Sequence, residues 1–129
     1  MRYLLLLACL VSGFLVSPAQ SEFLGDEWIS EQEMQRQSRF ARRHNLVLAD
    51  LQCKFHENIE APGREHVLFR ADFMRPPAPV AWGWTFEANG PNPLPEEQAR
   101  KAGFEVVGED YYEITGVTWV RCKLWHRLP

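Results

Sequence analysis

Two cysteines, Cys53 and Cys122, lie inside stretches that alternate apolar and polar residues, and each falls on the apolar side of its stretch. In Leu46 to His56, residues Val47, Ala49, Leu51, Cys53 and Phe55 share one face, and Asp50, Gln52, Lys54 and His56 share the other. In Val117 to His126, residues Thr118, Val120, Cys122, Leu124 and His126 share a face opposite Trp119, Arg121, Lys123, Trp125 and Arg127. A period of two with this division describes half-buried strands. A Cys53–Cys122 bridge would run through the core and tie the two strands together. A slip of one residue in either register would turn one sulfur outward, so the pair constrains both strands.

The rest of the pattern extends this frame. Ser30 and Glu33 form a capping box, and Ile29 and Met34 fit a hydrophobic staple, for a helix over 31–44 with Met34, Phe40 and Ala41 as its buried stripe. That helix also carries Arg36, Arg39, Arg42 and Arg43, which suits a solvated outer face or, less simply, a basic docking surface. Pro62-Gly63 marks a turn, and His66 to Arg75 alternates again through Val67, Phe69, Ala71 and Phe73, so the first two strands form a hairpin. After Pro76, Pro77 and Pro79, Val80 to Ala88 places Trp82, Trp84 and Phe86 on one face. Pro95 suits the first position of a short second helix that ends at Gly103. Phe104 to Tyr112 and Val117 to His126 form a second hairpin turning near Thr115-Gly116. The expected architecture is one α+β domain, an antiparallel sheet of about five strands with two helices packed on it and one disulfide.

A weak internal echo runs through the chain. Residues 40–47 and 98–105 both read as a helix end entering a strand, and Arg70-Ala71-Asp72-Phe73 echoes Arg121-Cys122-Lys123-Leu124. Two helix–strand–strand units with an extra strand between them would produce that pattern.

The N-terminus determines how the cysteines are read. Arg2 precedes an uncharged apolar run from Tyr3 to Val16, and Ser17-Pro18-Ala19 supplies small residues at cleavage spacing, the layout of a signal peptide over 1–19. The run is about 14 residues, short of the roughly 20 that a membrane span requires. Leu6-Leu7-Ala8-Cys9 loosely suggests lipid attachment, but Leu7 is bulky and the apolar run continues past Cys9. Residues 20–29 read as a linker and 30–129 as the domain, in a secreted or periplasmic protein with no stable membrane span. In an oxidising compartment the remaining even pair of cysteines reads as a staple rather than a redox or metal pair, since no CxxC spacing exists. The net charge of −3 offers no footprint for nucleic acid.

Catalytic motifs are sparse. Of the serines beyond the leader, Ser21 lies in the linker, Ser30 caps a helix and Ser38 sits within it, so none occupies a nucleophile turn. Bridged cysteines leave no thiol, no glycine-rich phosphate loop is present, and no cofactor is expected. Asp72, Glu109, Asp110 and Glu113 would serve carboxylate chemistry if the fold converged them. His56 and His66, with Glu57, Glu60 and Glu65 between them, contain the donors of a zinc-like site but lack a fixed spacing; a polar hairpin end is the simpler reading.

The sharper feature is the outer side of the last strand. Trp119, Arg121, Lys123, Trp125 and Arg127 interleave two indoles with three cations, residue types enriched at binding hot spots. The simpler alternative is that the indoles pack under a helix with the cation stems laid over them. The expected function is an exported, non-enzymatic binding module that meets a protein or an anionic glycan through this face. A small exported enzyme using carboxylates or histidine, and a structural subunit of an envelope complex using an exposed sheet edge, are the alternatives.

Overall fold

The computed structural model describes residues 27–128, so the leader over 1–19 and most of the 20–29 stretch lie outside the described residues. The first half of the described chain runs β1 (Ile29–Ser30), α1 (Glu31–Arg43), β2 (Val47–Phe55) and β3 (Val67–Met74). Ser30 is the N-cap of α1, and its hydroxyl accepts the Glu33 N–H at 3.2 Å. The Glu33 carboxylate accepts from Arg36 and Gln37, which holds it below the usual carboxylate range, the Arg36 hydrogen bond being the main cause. The helix buries Met34, Ser38 and Ala41. Phe40 is only partly buried, and Ser38 completes the stripe because its hydroxyl accepts the Trp84 indole N–H at 3.0 Å.

The β2–β3 hairpin forms as the alternation requires, with Cys53 opposite Phe69 and Leu51 opposite Ala71. It departs from strict alternation at one point. A register irregularity between Leu48 and Asp50 turns Leu48 into the core and leaves Ala49 exposed. A bulge adds one residue to one strand and so exchanges faces locally, here placing the larger apolar side chain inside.

The second half repeats the plan: β4 (Ala81–Ala88), α2 (Pro93–Lys101), β5 (Glu105–Thr115) and β6 (Thr118–Arg127). The first residue of α2 is Pro93, not Pro95. Both prolines fall in the first turn, where the N–H groups have no intrahelical partner and nothing is lost. Gly103, at φ +89°, turns the chain out of the helix in the left-handed region, where a side chain would be strained.

These strands do not make the single five-stranded sheet expected. Six strands form two three-stranded antiparallel sheets, ordered β1-β3-β2 and β4-β6-β5. Two features redirect the pairing. Ile29–Ser30 takes the second edge of β3, which makes β3 central. Pro76, Pro77 and Pro79 then lift the chain away, because proline lacks the donor that a continuing ladder needs, and β4 pairs with β6 instead. Each half is therefore strand, helix, strand, strand, with the last strand in the middle. The internal echo is thus a repeat of topology, one sheet per unit.

The inner faces of the two sheets meet in one core. Phe69 lies 5.1 Å from Trp84 and 5.0 Å from Phe86, and Phe73 lies 5.7 Å from Trp82. Val120, Cys122 and Leu124 project into the same core from β6. The Cys53–Cys122 disulfide joins the sheets with its Cα atoms 6.3 Å apart. Side chains of the second sheet also satisfy backbone groups of β2. Asp110 Oδ2 accepts the Cys53 N–H at 3.0 Å, and His126 Nε2 lies 3.0 Å from the Leu48 carbonyl. No helix among the described residues is long and apolar enough to cross a membrane.

Candidate functional site

The outer face of the second sheet changes from covered to open along β6. At the covered end Trp125 is 1% exposed. It sits opposite Gly83, and its N–H donates to Thr85 Oγ1 at 2.8 Å. Pro95, Gln98, Ala99 and Ala102 border the same recess, and the Arg100 guanidinium lies 5.3 Å above the ring. One turn of strand further on, Lys123 Nζ contacts Glu96 Oε1 at 2.8 Å, with both side chains largely withdrawn from water. Trp125 and Lys123 are thus engaged with α2.

The open end begins at Arg121. Its Nε lies 3.0 Å from Glu109 Oε2 and its Nη1 4.0 Å from Glu87, as ion contacts rather than aligned hydrogen bonds. Its guanidinium carbon sits 4.8 Å from the Tyr111 ring and 5.6 Å from the Trp119 ring. Trp119 is half-buried, and its ring centroid is 6.1 Å from that of Tyr111. Two aromatic faces flanking one guanidinium make a compact, partly wet platform. Glu113 accepts the Tyr111 hydroxyl at 2.8 Å, and this bond pushes the phenol above its ordinary value.

Arg127 stands apart at the other end. It is exposed, donates to the Ala102 carbonyl at 3.0 Å and lies 4.9 Å over Phe104. Of the five residues read from the last strand, the structure brings Trp119 and Arg121 together in the open, places Lys123 and Trp125 beneath α2, and uses Arg127 to fasten the end of that helix. Tyr111 is the residue that sequence reading missed. Its place opposite Arg121 depends on a register irregularity between Val106 and Gly108, which no alternation pattern locates.

Exposed apolar side chains run along β5, those from Tyr111 onward beside this platform. Val106, Val107, Tyr111, Tyr112 and Ile114 of β5, with Val117 in the turn, are exposed; among the described residues only Leu94 and Leu128 are large exposed apolar residues elsewhere. Strand β5 is an end strand of its sheet, with β6 on one side only.

The other candidate chemistries are dispersed. Asp110 is committed to the Cys53 N–H, Glu109 to Arg121 and Glu113 to Tyr111, while Asp72 belongs to the other sheet, opposite Asp50. His56 and His66 lie at the hairpin end, with His56 N–H on the His66 carbonyl at 2.8 Å. Each ring has its Nδ1 against backbone, His56 on the Glu57 carbonyl and His66 on the Gly63 N–H. Among the described residues the one set of three potential metal donors is Cys53, Asp110 and Cys122, where the two sulfurs are already joined and offer no thiolate. Comparison with protein-family models, with curated proteins and with solved structures finds no match for this chain.

Proposed function

We propose that the chain is an exported, non-enzymatic binding module whose contact surface is the open end of the second sheet. The surface comprises Tyr111, Trp119 and Arg121 with Tyr112, Ile114 and Val117 at the turn end of the hairpin. The observation that carries this reading is the set of exposed Tyr111, Tyr112, Ile114 and Val117 at the turn end of one hairpin. Apolar side chains left in water at one end of a sheet are unfavourable there and are typical of interaction sites. The aromatic–guanidinium cluster at its edge supplies the residue types that dominate binding energy.

Of the two ligands that sequence suggests, a protein is favoured over an anionic glycan. The cations that would grip an acidic polymer are already matched internally, Arg121 with Glu109 and Lys123 with Glu96, whereas the apolar hairpin remains uncovered. The enzyme alternative receives little support, because the carboxylates and histidines it would use face different partners. Export is supported by the leader-like layout of residues 1–19 and by the disulfide. The structural-subunit reading shares the same surface, since β5 is the last strand of its sheet.

A pull-down from the exported compartment, comparing the native chain with Tyr111→Ala/Trp119→Ala, tests the reading. Selective loss of a partner supports it; retention of the same partner by a folded double variant refutes the site.

A further inference from the structure

A second feature lies away from that hairpin, where the end of α1 meets the start of β4. A groove of about 660 Å³ is lined by, among others, Arg42, Trp82, Pro76, Pro77, Pro79 and Val80. Small-molecule sites occupy this size range. The described lining contains two guanidinium groups and no carboxylate.

Arg42 is held in place rather than waving in solvent. Its Nη2 donates to the Trp82 carbonyl at 3.1 Å, and its guanidinium carbon stacks 4.2 Å over the Trp82 ring. Trp82 is itself fixed, with its indole N–H on the Leu46 carbonyl at 3.0 Å and its ring against Phe73. A guanidinium has five N–H donors, and the Trp82 carbonyl takes only one. Among the described residues no carboxylate pairs with Arg42, so its remaining donors meet no acid there. Partial burial accordingly lowers the Arg42 pKa, with no acid to offset it. Arg75, across the groove, reaches the His44 carbonyl at 3.3 Å.

We infer that this groove binds a small amphipathic carboxylate, its anionic end on the stacked Arg42 guanidinium and its apolar body along Pro76, Pro77, Pro79 and Val80. The planar fork of arginine matches a carboxylate in two parallel hydrogen bonds. The proline walls offer apolar surface with little freedom to lose on binding. No part of this site belongs to the β5–β6 hairpin, so it stands or falls separately from the proposed partner surface.

The test uses 4-phenylbutyrate as probe, with its neutral amide and inorganic phosphate as controls, followed by calorimetry and by the Trp82 indole N–H signal. The expected result is saturable binding of the carboxylate that shifts Trp82. Binding should weaken at least about tenfold in Arg42→Met, consistent with the loss of a charge-assisted pair. Arg42→Lys, which keeps the charge but not the fork, should fall between the two and guards against a folding defect in the Met variant. Equal affinity for the amide would overturn the proposal by showing an apolar groove alone. Equal affinity for phosphate would overturn it by showing unselective anion attraction. Absence of any Trp82 shift at about millimolar probe, where even a millimolar dissociation constant would register, would also overturn it.

Discussion

Tyr111 and Trp119 sit on neighbouring strands with ring centroids 6.1 Å apart and share the Arg121 guanidinium between them. The pair is diagonal: Tyr111 faces Arg121 directly across the hairpin, and Trp119 faces Glu113. Farther along the same strand and face, Trp125 is covered by α2. Two tryptophans that are equivalent by alternation therefore perform different tasks, and the distinction can be measured.

Trp125→Ala should destabilise the protein by about 3–5 kcal/mol, the range for removing a buried aromatic side chain. Trp119→Ala should cost about 1 kcal/mol, because its half-exposed ring mostly loses aromatic contact. Denaturant titration of the two variants measures the difference. Equal costs would remove the division of the face into a covered and an open end.

This division shows how far the sequence was legible. The pattern along the chain located the five long strands of the sheets, both hairpins and the Cys53–Cys122 bridge, the bridge because its two cysteines fall on the apolar sides of their alternating strands. It did not reveal that the strands separate into two sheets. That outcome depends on the two-residue strand Ile29–Ser30, too short to carry a periodic signal, and on prolines that deny β4 a place beside β3. At the candidate site the residues on the Trp119/Trp125 face were readable, but which of them α2 would cover was not. Helix placement is a tertiary choice that the alternation along β6 does not encode.

The disulfide closes a sequence separation of 69 residues. Chain-entropy reasoning assigns such a loop roughly 4 kcal/mol of stabilisation. Cys53→Ser/Cys122→Ser should lower the unfolding free energy by an amount of that order. Chemical denaturation of the native and double-serine proteins checks this, and a change near zero would mean that the sheets are held by packing alone.

Lys123 and Glu96 form a mostly buried ion pair beneath α2. Lys123→Met alone should cost about 1–3 kcal/mol, because it leaves a carboxylate withdrawn from water with only the more distant Arg100. Lys123→Met/Glu96→Leu should recover most of that loss, since two apolar residues replace the pair without stranding a charge. Thermal or urea unfolding of the single and double variants tests the coupling; strictly additive losses would contradict it.

The Tyr111 phenol keeps its proton above the ordinary tyrosine range because its hydroxyl donates to Glu113. A group whose folded pKa is raised stabilises the fold below its unfolded pKa, near 10 for tyrosine, and loses that contribution as pH rises through the folded value. Glu113→Gln should therefore move the Tyr111 titration down toward the ordinary value. Absorbance of the tyrosinate form, followed in a Tyr112→Phe background, reports the shift; an unchanged titration would mean that the hydroxyl contact is not maintained in solution.

The most direct measurement is site-specific photocrosslinking in the exported compartment, with a photoreactive residue placed in turn at Ile114, Val117 and, on the other sheet, Asp50. A discrete adduct to one protein from the hairpin positions, and none from Asp50, is the predicted result. Adducts from Asp50 alone, or no adduct from any hairpin position, would contradict a binding surface at the open end of the β4-β6-β5 sheet.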